Sequence, residues 1–121
     1  MRKIFQTASL AVGLALAMAS AASAAPSATV GHQLFQQDCI VCHHSDGRGG
    51  VHFGRGVVSA DLRAPGLENT YHHNDALIVR AILFGRDESD QPLHAPMPHW
   101  HGTLTTAQAR DIVAYLHTLK N

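Results

Sequence analysis

The sequence predicts a small all-α domain, with three to four helices and long loops wrapped around something other than protein. Three observations carry that reading. Apolar residues recur at helical spacing in Leu77, Ile78, Ala81 and Ile82, and again in Ile112, Tyr115, Leu116 and Leu119. No stretch keeps up the alternation of a half-buried strand. From Cys39 to about Asn74 neither period holds, and Gly47, Gly49, Gly50, Gly54, Gly56 and Gly66 break the chain repeatedly. So long a loop is out of place in a compact domain unless a bound group fills the space it wraps.

Residues 1–24 read as a secretory signal peptide. Arg2 and Lys3 give a positive start, Leu10 to Ala22 is apolar, and Ala22-Ser23-Ala24 supplies the small residues of a cleavage site. The apolar run is shorter than the ~20 residues that cross a bilayer, so no membrane span is expected after cleavage. The expected mature domain is then 25–121, in the oxidising periplasm. Nine Lys and Arg, less Arg2 and Lys3, leave seven basic residues against nine acidic ones. With no basic patch or helix, nucleic acid is excluded as a partner.

The first helix runs from a cap at Ser27 or Thr29 to about Asp38, with Gly31, Leu34 and Phe35 on one side. In the irregular stretch that follows, Val57 and Val58 suit a brief extended piece. The next helix spans Asn74 or Asp75 to Phe84, where Gly85 is a natural C-cap. A loop containing Pro92, Pro96 and Pro98 leads to the last helix, which opens on the capping-box pair Thr105 and Gln108.

The chemistry is concentrated in Cys39-Ile40-Val41-Cys42-His43. Two thiols at this spacing reach the two vinyl groups of a haem, and the histidine that follows directly is placed to coordinate its iron. A thioredoxin-like dithiol would need a βαβ context, and the chain has no convincing strands. A structural zinc site would need a second pair of ligands at related spacing, and no second cysteine pair exists. The motif therefore predicts one covalent haem c, held by Cys39 and Cys42 and ligated by His43.

The sixth ligand decides what such an iron can do. Met1 and Met18 lie in the leader, so Met97 is the one thioether of the expected mature chain. Its neighbours Pro96 and Pro98 restrict the backbone around it, which suits a weak ligand held on a loop. His43 with Met97 closes both axial positions and raises the potential, favouring electron transfer over oxygen or peroxide chemistry. The rivals are His94, His99 and His101, any of which would give a bis-histidine iron of lower potential. A core-filling role for Met97 is the plainer alternative. His72, His73, His99 and His101 invite a second metal site, but no pair stands at i, i+4 on a clearly predicted helix. They read instead as surface histidines or as groups whose protonation follows the redox state. Trp100, Arg48 and Arg55 are candidates to meet haem propionates.

These residues resemble the class I monohaem cytochromes c over nearly the whole expected mature chain. Gly31-His32-Gln33-Leu34-Phe35 is similar to that family's first-helix pattern, and Tyr115-Leu116 to its last-helix pattern. Ile78 to Trp100 looks like haem domains of small periplasmic carriers and of the cytochrome subunits of dehydrogenases and oxidases. The resemblance implies that the terminal helices cross at Gly31 and Tyr115. It also implies a carbonyl holding the axial histidine, commonly from a proline about a dozen residues after the motif. No proline stands between His43 and Pro65, so a carbonyl from Gly56 to Ala60 is expected in its place.

The function expected is periplasmic one-electron transfer by a carrier that is not itself an enzyme, in transient complexes with redox partner proteins. Its balanced charge predicts mild electrostatic steering and apolar docking. The alternatives are an electron-transfer subunit of a dehydrogenase or reductase, and a haem sensor or peroxidase-like enzyme with a displaceable sixth ligand.

Overall fold

The computed structural model describes residues 24–121. Of the predicted leader, all but Ala24 lies outside the described residues.

Helix α1 (Ala28–Asp38) starts where Ser27, rather than Thr29, caps it: the Ser27 hydroxyl accepts from the Val30 amide at 3.2 Å. Its buried residues are Gly31 and Phe35, one turn apart, and Phe35 is completely enclosed. A single helical turn, α2 (Ile40–His43), follows directly and carries the end of the cysteine motif. His44 then takes a left-handed φ of 61° and turns the chain away.

Beyond α2, the stretch expected to be irregular contains a hairpin and one further short helix. An antiparallel hairpin joins β1 (His52–Gly54) to β2 (Val57–Val58), so the extended piece anticipated at Val57 and Val58 has a partner. Helix α3 (Gly66–Thr70) was not foreshadowed by a long period, but Leu67 and Tyr71, four apart, are both buried. The domain is thus mainly helical with one two-stranded hairpin.

Helix α4 (Asp75–Phe84) is capped by the Asn74 side chain, which accepts from the Ala76 amide at 3.1 Å, and it ends on Gly85 in the left-handed region. Helix α5 (Thr106–Leu116) has the complete capping box. The Thr105 hydroxyl accepts from the Gln108 amide at 3.1 Å, and the Gln108 side chain accepts from the Thr105 amide at 2.9 Å. The helix stops at Leu116, short of Leu119. The Leu119 carbonyl instead accepts from the Ala64 amide at 2.9 Å, which ties the C-terminus to the segment before α3.

Helices α1 and α5 cross at Gly31 as the resemblance implied, with the Tyr115 ring packed beside the crossing. The backbone that meets Gly31 belongs to Asp111 and Ile112: a Cβ at position 31 would overlap the Asp111 carbonyl and stand 2.9 Å from the Ile112 nitrogen. Tyr115 lies one turn further on, its ring 5.3 Å from that of Phe35 and stacked on His32 at 4.8 Å. The amide of Ser27 donates to the Asp111 carboxylate at 2.7 Å and secures the same crossing. Phe35, Ala109, Ile112 and Val113 form the tightest part of the core.

A second clasp lies where α3, α4 and α5 meet. His117 shares Nδ1 with Glu68 at 2.7 Å and Nε2 with Asp75 at 2.9 Å. Burial opposes the charged imidazole, but hydrogen bonds to Glu68 and Asp75 outweigh it and raise the His117 pKa above 6.5. The same bond, against a small cost of burial, lowers Glu68, with Lys120 and His73 contributing.

Candidate functional site

A cavity of about 770 Å³ occupies the middle of the domain. Every helix and the hairpin contribute to its walls: Phe35 from α1, the Cys39–His43 turn, the segment from β1 to Leu62, Leu67 and Tyr71, Ile78 and Ile82 from α4, the loop from Leu93 to Trp100, and Ile112 and Leu116 from α5. The long loops therefore wrap a space, as their length required.

Cys39, Cys42, His43 and Met97 all line this one cavity. Both thiols are free. Burial pushes the Cys39 thiol up to about 12, with the charges of Asp38 and Cys42 adding to it. A redox-active dithiol depends on a lowered thiol pKa, so the environment of Cys39 opposes the thioredoxin-like reading.

His43 is buried, and its ring makes a 2.9 Å hydrogen bond from Nδ1 to the Ala60 carbonyl. A carbonyl oxygen can only accept, so Nδ1 carries the proton and Nε2 keeps its lone pair. Burial lowers the His43 pKa, against the opposing pull of the Ala60 bond and with a small contribution from His44, and so favours the neutral ring. A neutral imidazole with Nδ1 committed to a carbonyl is the form that ligates a metal through Nε2. The carbonyl expected from Gly56 to Ala60 is that of Ala60.

The local backbone explains how Ala60 arrives there. Gly49 donates its amide to the His43 carbonyl at 3.0 Å, and a Cβ on Gly49 would overlap the Ala60 carbonyl. With φ at +63° and no side chain, Gly49 lets the strand lie directly against the motif turn. Ser59 adds two bonds through its hydroxyl, donating to the Cys42 carbonyl at 2.7 Å and accepting from the Val51 amide at 2.9 Å. Sequence reasoning did not single out Ser59 or Gly49, whose contacts lie in distant parts of the chain.

Met97 is half-buried on the loop between α4 and α5, its amide bonded to the His94 carbonyl at 3.2 Å. Of the three neighbouring histidines, only His94 reaches the cavity lining. His99 packs over Gly85, and His101 rests on Phe84 with ring centres 4.9 Å apart. Trp100 and Arg55 line the cavity, whereas Arg48 points its charge at Asp46, 3.2 Å away, outside it. His72 and His73 are exposed, and among the described residues no group of three or more His, Cys, Asp or Glu is placed to hold a metal ion.

Tyr71, Asp87 and Glu88 also reach the cavity and were not anticipated. Burial raises the Tyr71 pKa, with Glu88 and Asp87 adding and Arg80 opposing. The i, i+4 spacing of Leu67 and Tyr71 was the available signal for the tyrosine. Nothing local marked the two carboxylates.

The arrangement fits a mostly apolar cofactor. The volume lies within the ~300–1,000 Å³ range of ligand pockets, and the walls are largely aliphatic and aromatic. Two thiols and a lone-pair nitrogen stand on one wall and a thioether on the loop, which is the donor set that a covalent haem uses.

Comparison with known proteins agrees. The chain is 29% identical over 92 residues to the cbb3-type cytochrome c oxidase subunit CcoP of Cereibacter sphaeroides, covering 74% of this chain and 26% of that protein. It is 26% identical over 95 residues to the cbb3-type cytochrome c oxidase subunit FixP of Bradyrhizobium diazoefficiens, covering 76% and 27%. The chain spans about a quarter of the length of these curated relatives. The family profile for cytochrome c matches residues 28–120, from the first turn of α1 to the residue bridged to Ala64. With that match enclosing both the motif turn and the cavity it lines, the chain belongs to the cytochrome c family, as a class I cytochrome whose work is haem-based electron transfer.

Proposed function

We propose that the chain is an exported carrier of single electrons, with one haem c joined to Cys39 and Cys42 and ligated by His43 and Met97. The observation that carries the reading is the cavity itself, which His43 and Met97 both line, with His43 Nδ1 donating its hydrogen bond to the Ala60 carbonyl. Haem supplies an iron that cycles between ferrous and ferric states.

The protein's part is to hold and shield. Cys39 and Cys42 fix one edge of the cofactor, and the Ala60 carbonyl holds the His43 ring in one tautomer and orientation. Phe35, Ile78, Ile82 and Ile112 exclude water from the site and lower its dielectric constant. Held by both His43 and Met97, the iron would offer no coordination position to a substrate, which would suit outer-sphere electron transfer. Val41, 83% exposed, Phe53 and Val58 are solvent-exposed apolar residues of the cavity lining. They suit a brief, weakly charged encounter with a redox partner.

A second arrangement is favoured by the comparisons, because both relatives named are subunits of cbb3-type oxidases. On that reading the same electron transfer occurs inside an oxidase or other oxidoreductase assembly. Purification from the native host separates the two: a lone soluble species supports the carrier, and co-purification with a larger complex supports the subunit. N-terminal sequencing of the same material checks the leader, with Ala25 expected as the first residue.

The ligand set is tested by optical spectroscopy of the wild type beside Met97→Ala. The wild type should be low-spin and six-coordinate, with a Met-to-iron charge-transfer band that the variant lacks. An unchanged spectrum would overturn the assignment and turn attention to His94, the neighbouring histidine on the cavity wall.

A further inference from the structure

We infer that the Ser59 hydroxyl is a positioning group for the ligand histidine, fixing the carbonyl that accepts the His43 Nδ1–H hydrogen bond and so setting the reduction potential. The inference rests on His43 being an iron ligand, as proposed above.

Two hydrogen bonds join consecutive residues of the motif turn to consecutive residues of the segment after β2. His43 Nδ1 donates to the Ala60 carbonyl at 2.9 Å, and Ser59 Oγ donates to the Cys42 carbonyl at 2.7 Å. Each spans seventeen residues of sequence. Together with the backbone of 42–43 and 59–60 they close a small ring, in which movement of Ala60 strains the Ser59 bond and the reverse.

The serine is itself held on three further sides. Its oxygen accepts from the Val51 amide at 2.9 Å, its amide donates to the Val51 carbonyl at 2.9 Å, and its carbonyl accepts from the Gly50 amide at 2.9 Å. Both of its donors, amide and hydroxyl, are therefore engaged, and its hydroxyl and carbonyl oxygens each accept a bond. Ala60, by contrast, is exposed and has a methyl side chain that can hold nothing. No proline ring restricts the backbone here, so the direction of the Ala60 carbonyl depends on its neighbour.

The consequence for the iron follows from the acceptor. A firm Nδ1–H···O bond makes the imidazole a stronger electron donor and favours the ferric state, and a loosened one favours the ferrous state. Loss of the hydroxyl leaves the Cys42 carbonyl and the Val51 amide without this partner, and frees the Ala60 carbonyl to drift.

The test compares haem-loaded wild type with Ser59→Ala, Ser59→Val and Ser59→Thr. Threonine keeps the hydroxyl, and valine has the same outline without it. Redox titration should show the Ala and Val variants displaced towards the reduced form by up to about tenfold in the one-electron equilibrium, or ~59 mV, with Thr close to wild type. NMR of the reduced proteins should show faster solvent exchange of the His43 Nδ1 proton in Ala and Val, restored in Thr. Equal midpoints and exchange rates in all four proteins would overturn the inference, as would Thr moving together with Val. If neither Ala nor Val accumulates with haem, the wild-type Ser59 hydroxyl proton decides. Slow exchange sustains the inference, and exchange at the rate of an exposed serine ends it. Absence of thioether-bound, His43-ligated haem from the wild type would instead defeat the proposed function, which is a separate result.

Discussion

Replacing Gly31 with alanine should destabilise the domain, although helix propensity taken alone points the other way. Within a helix, alanine is favoured over glycine by about 0.8–1.0 kcal/mol, and Gly31 lies inside α1. The neighbour across the crossing reverses the sign. The added Cβ would overlap the Asp111 carbonyl and stand 2.9 Å from the Ile112 nitrogen, inside the ~3.5 Å at which carbon contacts become favourable. These are backbone atoms of α5, and a backbone cannot rotate away as a side chain can.

The helices must therefore part by on the order of 1 Å, a gap that forfeits about a quarter to a half of each contact's attraction. The contacts affected are those of Phe35, Ala109, Ile112 and Val113, all 2% exposed or less. Overpacking of this kind costs about 1–3 kcal/mol or somewhat more. Set against the propensity gain, and with backbone atoms putting the cost in the upper half of that range, a net loss of about 1–2 kcal/mol is expected, a sizeable part of the ~5–15 kcal/mol that holds such a domain together. Tm should fall by roughly 4–16 °C. Urea unfolding of the haem-loaded protein, followed by circular dichroism, measures the loss as a lower midpoint at unchanged slope. A Gly31→Ala protein as stable as wild type, or more so, would refute the close-crossing argument.

Other outcomes follow from the same structure. Thr105→Ala removes the hydroxyl that caps α5 and should cost about 1 kcal/mol in urea unfolding, with Thr105→Ser recovering most of it. Phe35→Ala empties a fully buried position at the core and cavity wall; about 3–5 kcal/mol should be lost, enough to show as partial unfolding at growth temperature. The His117 clasp gives a pH signature. Its pKa is raised above 6.5, so its contribution is complete below 6.5 and is lost as pH rises through the folded value. Glu68 is lowered below 4.5, so its contribution is present above 4.5 and is lost as pH falls through its folded value. The Tm difference between wild type and His117→Gln should therefore be greatest between pH 4.5 and 6.5; a difference that is flat with pH would exclude the clasp.

What the sequence disclosed was local, and what it concealed was not. Helices α4 and α5 announce themselves through caps a few residues from the stripes they serve: Asn74 and Gly85 for one, Thr105 and Gln108 for the other. Helix α3 is too short to establish a period, and it is held by Leu67 and Tyr71 packing on partners distant in sequence. At the site, the cysteine motif stands out because three side chains with chemical meaning fall within five positions. Met97 could be reached by elimination, and His94 could be separated from His99 and His101 only once the fold showed which ring lines the cavity. The Ala60 carbonyl has no signature of its own, since every residue carries one. Ser59 is hidden for the same reason: its partners are backbone atoms of Cys42 and Val51. The crossing at Gly31 and Tyr115 was implied by the family resemblance, whereas the backbone of Asp111 and Ile112 that Gly31 meets carries no side-chain signature.

The pairing of the first helix with the last also sets a schedule. Ser27 and Asp111 are 84 positions apart, so the crossing cannot form until nearly all of the chain has been made. Closing so long a stretch costs entropy that only the finished contact offsets, which raises the contact order of the domain. Without α5 the cavity lacks the wall formed by Ile112 and Leu116. The same docking that joins the two ends of the domain therefore also completes the enclosure around its centre.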